Sequence, residues 1–394
     1  MTDHQLLDLI APSVEQGQLR FADELRRLVH TDAPETFARL DFDSDTTFLE
    51  PLAFAYAARG VISPAELAVV YAAAMTPEKR PGRLSATTDA DGRVFLPGSG
   101  YLAGLPPGSQ MELVREDASP VGYSCGRSPI QAIPLRAWRL GDAPLSLLAY
   151  PVAALANAVG VAGGRLPGVD IAPRTHRPTL TTALRRLRDT SSELAAATCG
   201  VVRYVVLFDD PARNSFATTA AHGVVFLNVA HGTSEAFFIE DLVHQGGHVL
   251  FTAAWNGSEP LVTSAPDTSI GEFTGEEDHR SLEVALHGMF TQTLMVDALE
   301  GLLGSDADVD RHEATGRLLF ALLRLGLDLR ALAGLSIYTE AGMRLVRELI
   351  SAYAAAAVKF GDSLLAADFA DQPYNFDYAV YQAHNPVPRS LART

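Results

Sequence analysis

The sequence predicts an α+β fold, because the spacing of its apolar residues and turn residues changes twice along the 394 residues. Residues 1–80 carry apolar residues at helical spacing, as in "FADELRRLVH" and "SPAELAVVYAAAM". Residues 84–160 form a β-rich insert of short runs separated by Asp-Gly, Pro-Gly and Gly-Ser turns. Residues 180–394 combine strands with long helices. Since one hydrophobic core rarely keeps growing to this chain length, we expect several subdomains.

Local signals predict where the elements begin and end. Ser63-Pro64 followed by Glu66 predicts a helix start, and "TPEKRPGR" at 76–83 breaks the helical pattern with two prolines and a glycine. A Gly- and Pro-rich segment at 160–179 precedes a predicted helix, "LTTALRRLRDTSSELAAAT". Two predicted strands follow, "VVRYVVLF" at 201–208 and "HGVVFLNV" at 222–229.

The remainder of the chain is predicted to be helical. A hydroxyl at Thr233 or Ser234 can cap free amides, so a helix is expected to open there, and Glu235 suits its first turn. From residue 280 onward, three further helical runs are predicted. These runs are "SLEVALHGMFTQTLMVDALEGLL", "HEATGRLLFALLRLGLDLRALAG" and "TEAGMRLVRELISAYAAAAVKF".

Composition narrows the classes of function. The formal net charge is −16 and no cluster of lysines and arginines stands out, which argues against nucleic-acid or anionic-membrane partners. The two cysteines, 74 residues apart, support neither a disulfide framework nor a thiolate zinc site. The N-terminus lacks the pattern of a signal peptide, and no apolar run of about 18 residues suggests a membrane span. We therefore expect a soluble cytoplasmic protein, and the sequence gives no indication of its oligomeric state.

The segment "EDLVHQGGHVLF" at 240–251 is the clearest candidate for a metal-binding or catalytic site. On a helix His244 and His248 face the same way, so their imidazoles can converge on one metal ion. The alternative is a pair of hydrogen-bonded core histidines. Gln245 stands where the metalloprotease pattern His-Glu-x-x-His has its general base. Gly246 and Gly247 weaken a helix, which indicates close approach of another element or room for a ligand, unless good packing simply tolerates them.

A third ligand is expected from "EEDHRSLEVALHGMF" at 276–290. If this segment is helical throughout, Arg280, Glu283 and His287 form one stripe carrying a cation, a carboxylate and a base. His287 and Glu283 compete as the ligand. The alternative role for Arg280 is a surface ion pair with Glu276, Glu277 or Glu283. Other histidines with weaker placement are His279, His231 and His222.

The run from "GVVFLNV" through "TSEAFFIEDLVHQGGHVLF" to "HRSLEVALHGMF", with a late "YTEAGMRLVRELI", resembles a known family. These are the HEXXH-motif proteins encoded beside peptide natural-product genes, described as iron(II)- and 2-oxoglutarate-dependent peptide β-hydroxylases on a zincin-like core. The resemblance covers residues 200–350 and rests on element order as much as on identities. His244 and His248 fall on the family's motif histidines, and His287 and Arg280 on its later histidine and arginine.

The resemblance implies a zincin-like α+β core in which His244, His248 and His287 hold iron(II), with 2-oxoglutarate and dioxygen as cosubstrates. It implies hydroxylation of an unactivated C–H bond in a peptide or amino-acid substrate. Arg280 would anchor the distal carboxylate of 2-oxoglutarate through paired hydrogen bonds. Gln245 and Glu283 are the candidate catalytic side chains beside the metal, with Glu283 accepting a hydrogen bond if His287 is the ligand.

The departure from the family is Gln245 in place of glutamate. Loss of that base would slow a hydrolase by about 10²- to 10⁴-fold, whereas oxygen activation depends on open metal positions and a cosubstrate. The rival functions are a zinc hydrolase using another base, such as Glu283, and a non-catalytic peptide-binding relative. The strand "HGVVFLNV" either receives an extended peptide by strand addition or is a core β-element.

Overall fold

The structure, a computed structural model, has a mixed α+β fold in which 54% of residues are helical and 12% are in strands. The coarse fold class predicted from the sequence is therefore confirmed. The residues that the structure describes are 5–60, 63–125, 132–161, 164–265, 267–275, 277–305 and 310–387.

The N-terminal region is helical, as predicted. Its helices are α1 (Gln5–Asp32), α2 (Pro34–Phe37), α3 (Asp45–Phe48), α4 (Pro51–Ala57) and α5 (Pro64–Tyr71). At the start of α5 the Ser63 hydroxyl accepts from the Glu66 amide, and the Glu66 carboxylate accepts from the Ser63 amide. This reciprocal capping box satisfies two amides that would otherwise lack partners, so the predicted helix start is confirmed.

The following region forms short strands, as predicted. These are β1 (Arg83–Thr87), β2 (Val94–Leu96), β3 (Gly100–Ala103), β4 (Gln110–Arg115), β5 (Tyr123–Ser124), β6 (Ile133–Arg136), β7 (Trp138–Arg139) and β8 (Ser146–Leu147). The first six build two antiparallel three-stranded sheets, in the orders β1-β4-β5 and β2-β3-β6. The last two leave this region and join the main sheet.

The main sheet has five strands in the order β10-β11-β9-β8-β7, with β9 (Tyr204–Phe208), β10 (Phe216–Ala217) and β11 (Val224–Asn228). Its centre is parallel, since β9 pairs in parallel with both β8 and β11, whereas both outer pairs are antiparallel. The main sheet thus combines strands from both sides of the 160–179 segment. The predicted boundary between the β-rich insert and the region from residue 180 onward stays a prediction. Both regions contribute strands to this one sheet.

Alternate residues of the central strands face two different cores. Val205 and Leu207 point toward a core shared with the C-terminal helices. Tyr204, Val206 and Phe208 point toward a second core filled by the N-terminal helices. Burial on both faces explains why β9 and β11 read as continuous apolar runs.

The remaining helices are α6 (Ala153–Ala158), α7 (Ala172–Thr190), α8 (Ser192–Val201), α9 (Glu235–Trp255), α10 (Gly271–Thr274), α11 (Leu282–Leu303), α12 (Arg311–Leu332), α13 (Glu340–Ala366) and α14 (Tyr378–His384). The three predicted runs after residue 280 are confirmed as α11, α12 and α13. Helix α1 packs closely on α9. A Cβ atom at Gly17 would lie 1.5 Å from the carbonyl oxygen of Ala253. Only glycine permits this approach.

The helix predicted after residue 179 differs from the structure at its start and in its middle. It begins earlier, at Ala172 within the Gly- and Pro-rich segment, with Pro173 in the first turn, where a missing amide hydrogen costs nothing. The single predicted helix is broken at Ser191, which has a non-helical backbone (φ −146°, ψ 66°). Helix α11 packs closely against this break, since a Cβ atom at Gly301 would lie 2.5 Å from the Ser191 hydroxyl.

The prediction that no segment has the length and composition of a membrane span was also wrong. Among the described residues, the 27-residue helix α13 meets both criteria, and 11% of its apolar window is buried. One such helix is weak evidence of a membrane protein. The cytoplasmic location stays a prediction.

Candidate metal centre

Helix α9 carries the paired histidines and begins where the sequence predicts. The Ser234 hydroxyl accepts a hydrogen bond of 3.0 Å from the Phe237 amide and donates one of 2.8 Å to Glu313. The helix therefore starts with a satisfied cap, and that cap is tied to α12. Burial on several sides holds α9 rigidly between the main sheet and the helices α1, α7 and α11.

The structure brings the three predicted histidines together. Nε2 of His248 lies 3.2 Å from Nε2 of His244, and Nδ1 of His248 lies 3.1 Å from Nδ1 of His287. Ring contacts support the cluster, since the His287 ring centroid lies 3.9 Å from that of Phe251. His287 is 39 residues beyond His248 in the chain, so the packing of α11 against α9 creates the cluster.

All three imidazoles are neutral near pH 7. Burial lowers the pKa of His248 to about 4 and that of His287 to about 3. Burial also lowers the pKa of His244 well below its ordinary value, with smaller contributions from His248 and Arg324. A neutral imidazole offers a lone pair, which is the form that binds metal ions.

Gln245 fixes the hydrogen-bond direction in this cluster. Its amide nitrogen lies 3.3 Å from Nδ1 of His244 and 3.3 Å from Oδ1 of Asp241. Because an amide nitrogen only donates, Nδ1 of His244 accepts, and the proton of this neutral ring sits on Nε2. His244 then donates to Nε2 of His248, which in turn donates from Nδ1 to His287. The three rings form a directional chain with one proton at each link.

As placed, the rings do not surround one point. His248 presents one nitrogen to His244 and the other to His287, whereas a metal ion binds a single nitrogen of each ring. Accordingly, within the described part of the chain no group of three or more His, Cys, Asp or Glu side chains is arranged to hold a metal ion. A common centre requires the His248 or His287 ring to turn.

Three observations fit the donor set to a divalent metal ion. The donors are neutral imidazoles, and Nε2 of His244 lies 3.2 Å from Nε2 of His248. Two nitrogens bound to one ion at about 2.0–2.1 Å each have a comparable separation. In addition, Oε1 of Gln245 is buried without a hydrogen-bond partner. If His244 bound metal through Nε2, its proton would move to Nδ1, and the turned amide of Gln245 would accept it.

The two glycines of the motif allow neighbouring helices to approach α9. A Cβ atom at Gly246 would lie 2.6 Å from Cγ2 of Thr198 on α8. One at Gly247 would lie 3.0 Å from Cγ2 of Thr291 on α11. Of the alternatives that the sequence left open for these glycines, close approach of another element is the one that the structure contains. The glycine at 247 brings α11, and with it His287, against the motif helix.

We expect Gly246→Ala to destabilise the protein, because overpacking costs about 1–3 kcal/mol and outweighs the gain of about 1 kcal/mol in helix propensity. Thr198→Ser removes the obstructing methyl group. Urea unfolding of both single variants and the double variant should therefore give a favourable coupling of about 1–2 kcal/mol. Gly361→Ala on α13 is the matched control, since its Cβ would meet nothing within 4 Å and should stabilise the helix. Additive effects of the two changes at 246 and 198 would contradict this account.

Glu283 and Arg280 take different positions from those predicted. Helix α11 begins at Leu282, with the Ser281 hydroxyl as its cap, so Arg280 lies outside the helix and the predicted three-residue stripe was wrong. Glu283 is exposed in the first turn. Among the described residues no hydrogen bond joins it to His244, His248 or His287. His287, and not Glu283, therefore contacts the motif pair.

Arg280 is engaged by carboxylates other than the predicted glutamates. Its guanidinium donates to both oxygens of Asp328, at 2.8 and 3.2 Å, and to Asp278 at 2.7 Å. These bonds raise the pKa of Arg280 further above its ordinary value. One of the suggested partners, Glu276, lies outside the described residues. The anchoring role of Arg280 stays a prediction, although two carboxylates already neutralise its charge.

The histidines open onto a cavity of about 670 Å³, within the range of sites that hold small ligands. Aromatic side chains form much of its wall. They are Phe216, Phe237, Phe251, Trp255, Phe320, Tyr374 and Phe376. Of the histidines with weaker sequence placement, His222 and His231 also line the cavity, and His279 is not among its lining residues. His222 is hydrogen-bonded to Gln18 and His231 to the Arg213 carbonyl.

Sequence analysis missed Asp241, which lines the cavity beside Gln245. Its carboxylate accepts from the Ser215 hydroxyl at 2.5 Å and from Gln245. Burial raises the pKa of Asp241 to about 7, although both hydrogen bonds oppose the shift. A signal was present, because Glu240 and Asp241 are adjacent acids inside an otherwise apolar helix. Buried acids of this kind indicate a functional or structural network.

The strand before the motif helix is a core β-element. Strand β11 pairs with β9 along all five of its residues and with β10 at Val225 and Phe226, so it is an inner strand of the sheet. The edge that faces the cavity belongs to β10, since Phe216 and Ala217 both line it. The hypothesis of strand addition at "HGVVFLNV" was wrong for this reason.

The centre is thus defined by the geometry of the chain itself: three neutral imidazoles on α9 and α11, a glutamine that orients one of them, and a cavity beside them. A comparison with models of known protein families and a second comparison with curated proteins each find no match for this chain.

Proposed function

We propose that the protein is a non-heme iron(II)- and 2-oxoglutarate-dependent oxygenase with a zincin-like core, acting on a peptide or amino-acid substrate. The observation that carries the proposal is the contact of His244, His248 and His287 at 3.1 and 3.2 Å beside a cavity of about 670 Å³. Such a volume accommodates a cosubstrate together with one substrate side chain.

Under this proposal the three histidines hold the metal ion and leave its other positions open to ligands. When bound, iron(II) with 2-oxoglutarate and dioxygen supplies the oxidising power to hydroxylate a C–H bond. The net reaction converts 2-oxoglutarate, dioxygen and R–H into succinate, carbon dioxide and R–OH, so one oxygen atom enters each organic product.

The side chains around the histidines have separate tasks. Gln245 lies against Nδ1 of His244 and orients this ring, and in the structure its amide nitrogen also donates to Asp241. The rings of Phe251 and Trp255 form an apolar wall that limits the access of water to the histidines. A glutamine at 245 cannot act as a general base, which supports oxidation over hydrolysis.

The proposal predicts oxygen-dependent formation of succinate from 2-oxoglutarate by the iron(II)-loaded protein, with faster turnover when a suitable peptide is added. Gas chromatography–mass spectrometry with ¹⁸O₂ measures the products, because one labelled atom should appear in succinate. The His248→Ala protein is the control and should form none. Peptide hydrolysis by the zinc-loaded protein, without succinate formation by the iron-loaded protein, would overturn the proposal in favour of a hydrolase.

A further inference from the structure

Three arginines line the histidine cavity: Arg280, Arg317 and Arg324. The first two are each bonded to two carboxylates, Arg280 to Asp278 and Asp328, and Arg317 to Glu240 and Glu313. The charge of each of these two guanidinium groups is therefore already neutralised by carboxylates. Arg324 is different, since no carboxylate among the described residues lies within ion-pair distance of it.

Arg324 is held in place without being neutralised. From α12, its Nη1 donates a hydrogen bond of 2.8 Å to the carbonyl oxygen of Tyr374. Its Cζ lies 4.3 Å from the centroid of the Tyr374 ring. The segment that carries Tyr374 is fixed in turn, because the Asn375 amide donates to the Asn214 side chain at 2.7 Å. One carbonyl contact leaves the other donors of this half-buried guanidinium available.

Arg324 lies in the same cavity as the histidines. His244 and His248 line it from α9, His287 from α11 and Arg324 from α12. A ligand in this cavity can therefore contact the histidines at one end and Arg324 at the other.

We propose that Arg324 binds the carboxylate of the ligand that occupies the histidine cavity. A planar guanidinium pairs with a carboxylate through two parallel hydrogen bonds, and partial exclusion of water strengthens the pair. The matching ligand has one end near the histidines and a carboxylate at its other end. The distal carboxylate of 2-oxoglutarate meets this description, an assignment that rests on the proposed function, and so does a carboxylate of the substrate.

The test compares two keto acids that differ only in the distal carboxylate, 2-oxoglutarate and 2-oxopentanoate. Quenching of Trp255 fluorescence reports binding, because this indole lines the cavity. Titrations with and without manganese(II) need no turnover. The wild-type protein should bind 2-oxoglutarate about 10- to 100-fold more tightly, as expected for a hydrogen-bonded ion pair. Arg324→Gln should abolish this preference and leave 2-oxopentanoate binding unchanged, while Arg324→Lys should restore part of it.

Arg280→Gln tests the competing assignment and should retain the preference, because Asp278 and Asp328 already neutralise Arg280. A preference lost in Arg280→Gln but kept in Arg324→Gln would overturn the proposal and assign the carboxylate to Arg280. An Arg324-dependent preference without any gain in affinity from manganese(II) would support Arg324 while contradicting the proposed metal function.

A final pair of ligands distinguishes cosubstrate from substrate. If neither keto acid binds, N-acetylphenylalanine and its amide take their place as mimics of a peptide terminus. An Arg324-dependent preference for the acid would then assign the carboxylate to the substrate. Equal binding of acid and amide by wild type and Arg324→Gln would overturn the proposal altogether.

Discussion

Protein reconstituted with iron(II) in the absence of oxygen is expected to bind one ion per chain, and His248→Ala is expected to bind none. His248 is the central member of the cluster, with contacts to both His244 and His287. Losing a direct ligand should cost more than the roughly 10- to 100-fold typical of an outer partner. Elemental analysis after gel filtration measures the metal content, and circular dichroism of the metal-free proteins checks that both are folded.

His231→Ala is the matched control, because His231 lines the same cavity but bonds to the Arg213 carbonyl. It should retain the full metal content. Equal metal content in His248→Ala and the wild-type protein would place the site elsewhere. Loss of iron in Glu283→Gln together with its retention in His287→Ala would make Glu283 the third ligand.

The motif helix could be predicted from the sequence because its signals are local. A hydroxyl cap at Ser234 and an apolar run fix the helix, and a spacing of four residues puts His244 and His248 on one face. The approach of α8 and α11 to Gly246 and Gly247 could also be anticipated, since two glycines within a helix need a reason. His287 and Glu283 were both candidates from the sequence, and only the resemblance favoured His287.

Other features depend on tertiary pairing that local patterns do not contain. Arg324 and Asp328 are four apart on α12 and would be expected to pair with each other. In the structure Asp328 instead bonds to Arg280, and Arg324 is left without a carboxylate among the described residues. Likewise, β7 and β8 read like their neighbours in the insert, yet they pair into the main sheet. Which cation a carboxylate meets is decided by the fold.

Disrupting a buried charge cluster in the cavity wall should have the largest effect on the stability of the protein. Arg317, with a side chain only 3% exposed, bonds to Glu240 of α9 and Glu313 of its own helix. Its Cζ also lies 5.0 Å from the Phe376 ring and 5.3 Å from the Phe237 ring. Burial raises the pKa of Glu240, and Arg317 opposes that shift. The cation is therefore the partner on which both carboxylates depend.

Arg317→Met should lower the free energy of unfolding by about 3–5 kcal/mol, because it leaves two buried carboxylates without a cation. Adding Glu240→Gln and Glu313→Gln should recover much of this loss, since a neutral cluster of similar volume has no unpaired charge to bury. Urea unfolding at pH 7 measures all three states. Arg344→Met is the control, because the Arg344–Glu340 pair is exposed (51% and 85%) and should change stability by at most about 0.5 kcal/mol. A single Arg317→Met variant as stable as the Arg344→Met control would show that the carboxylates do not need the cation. A triple variant no more stable than the single variant would show that packing of the guanidinium between Phe237 and Phe376 matters more than its charge.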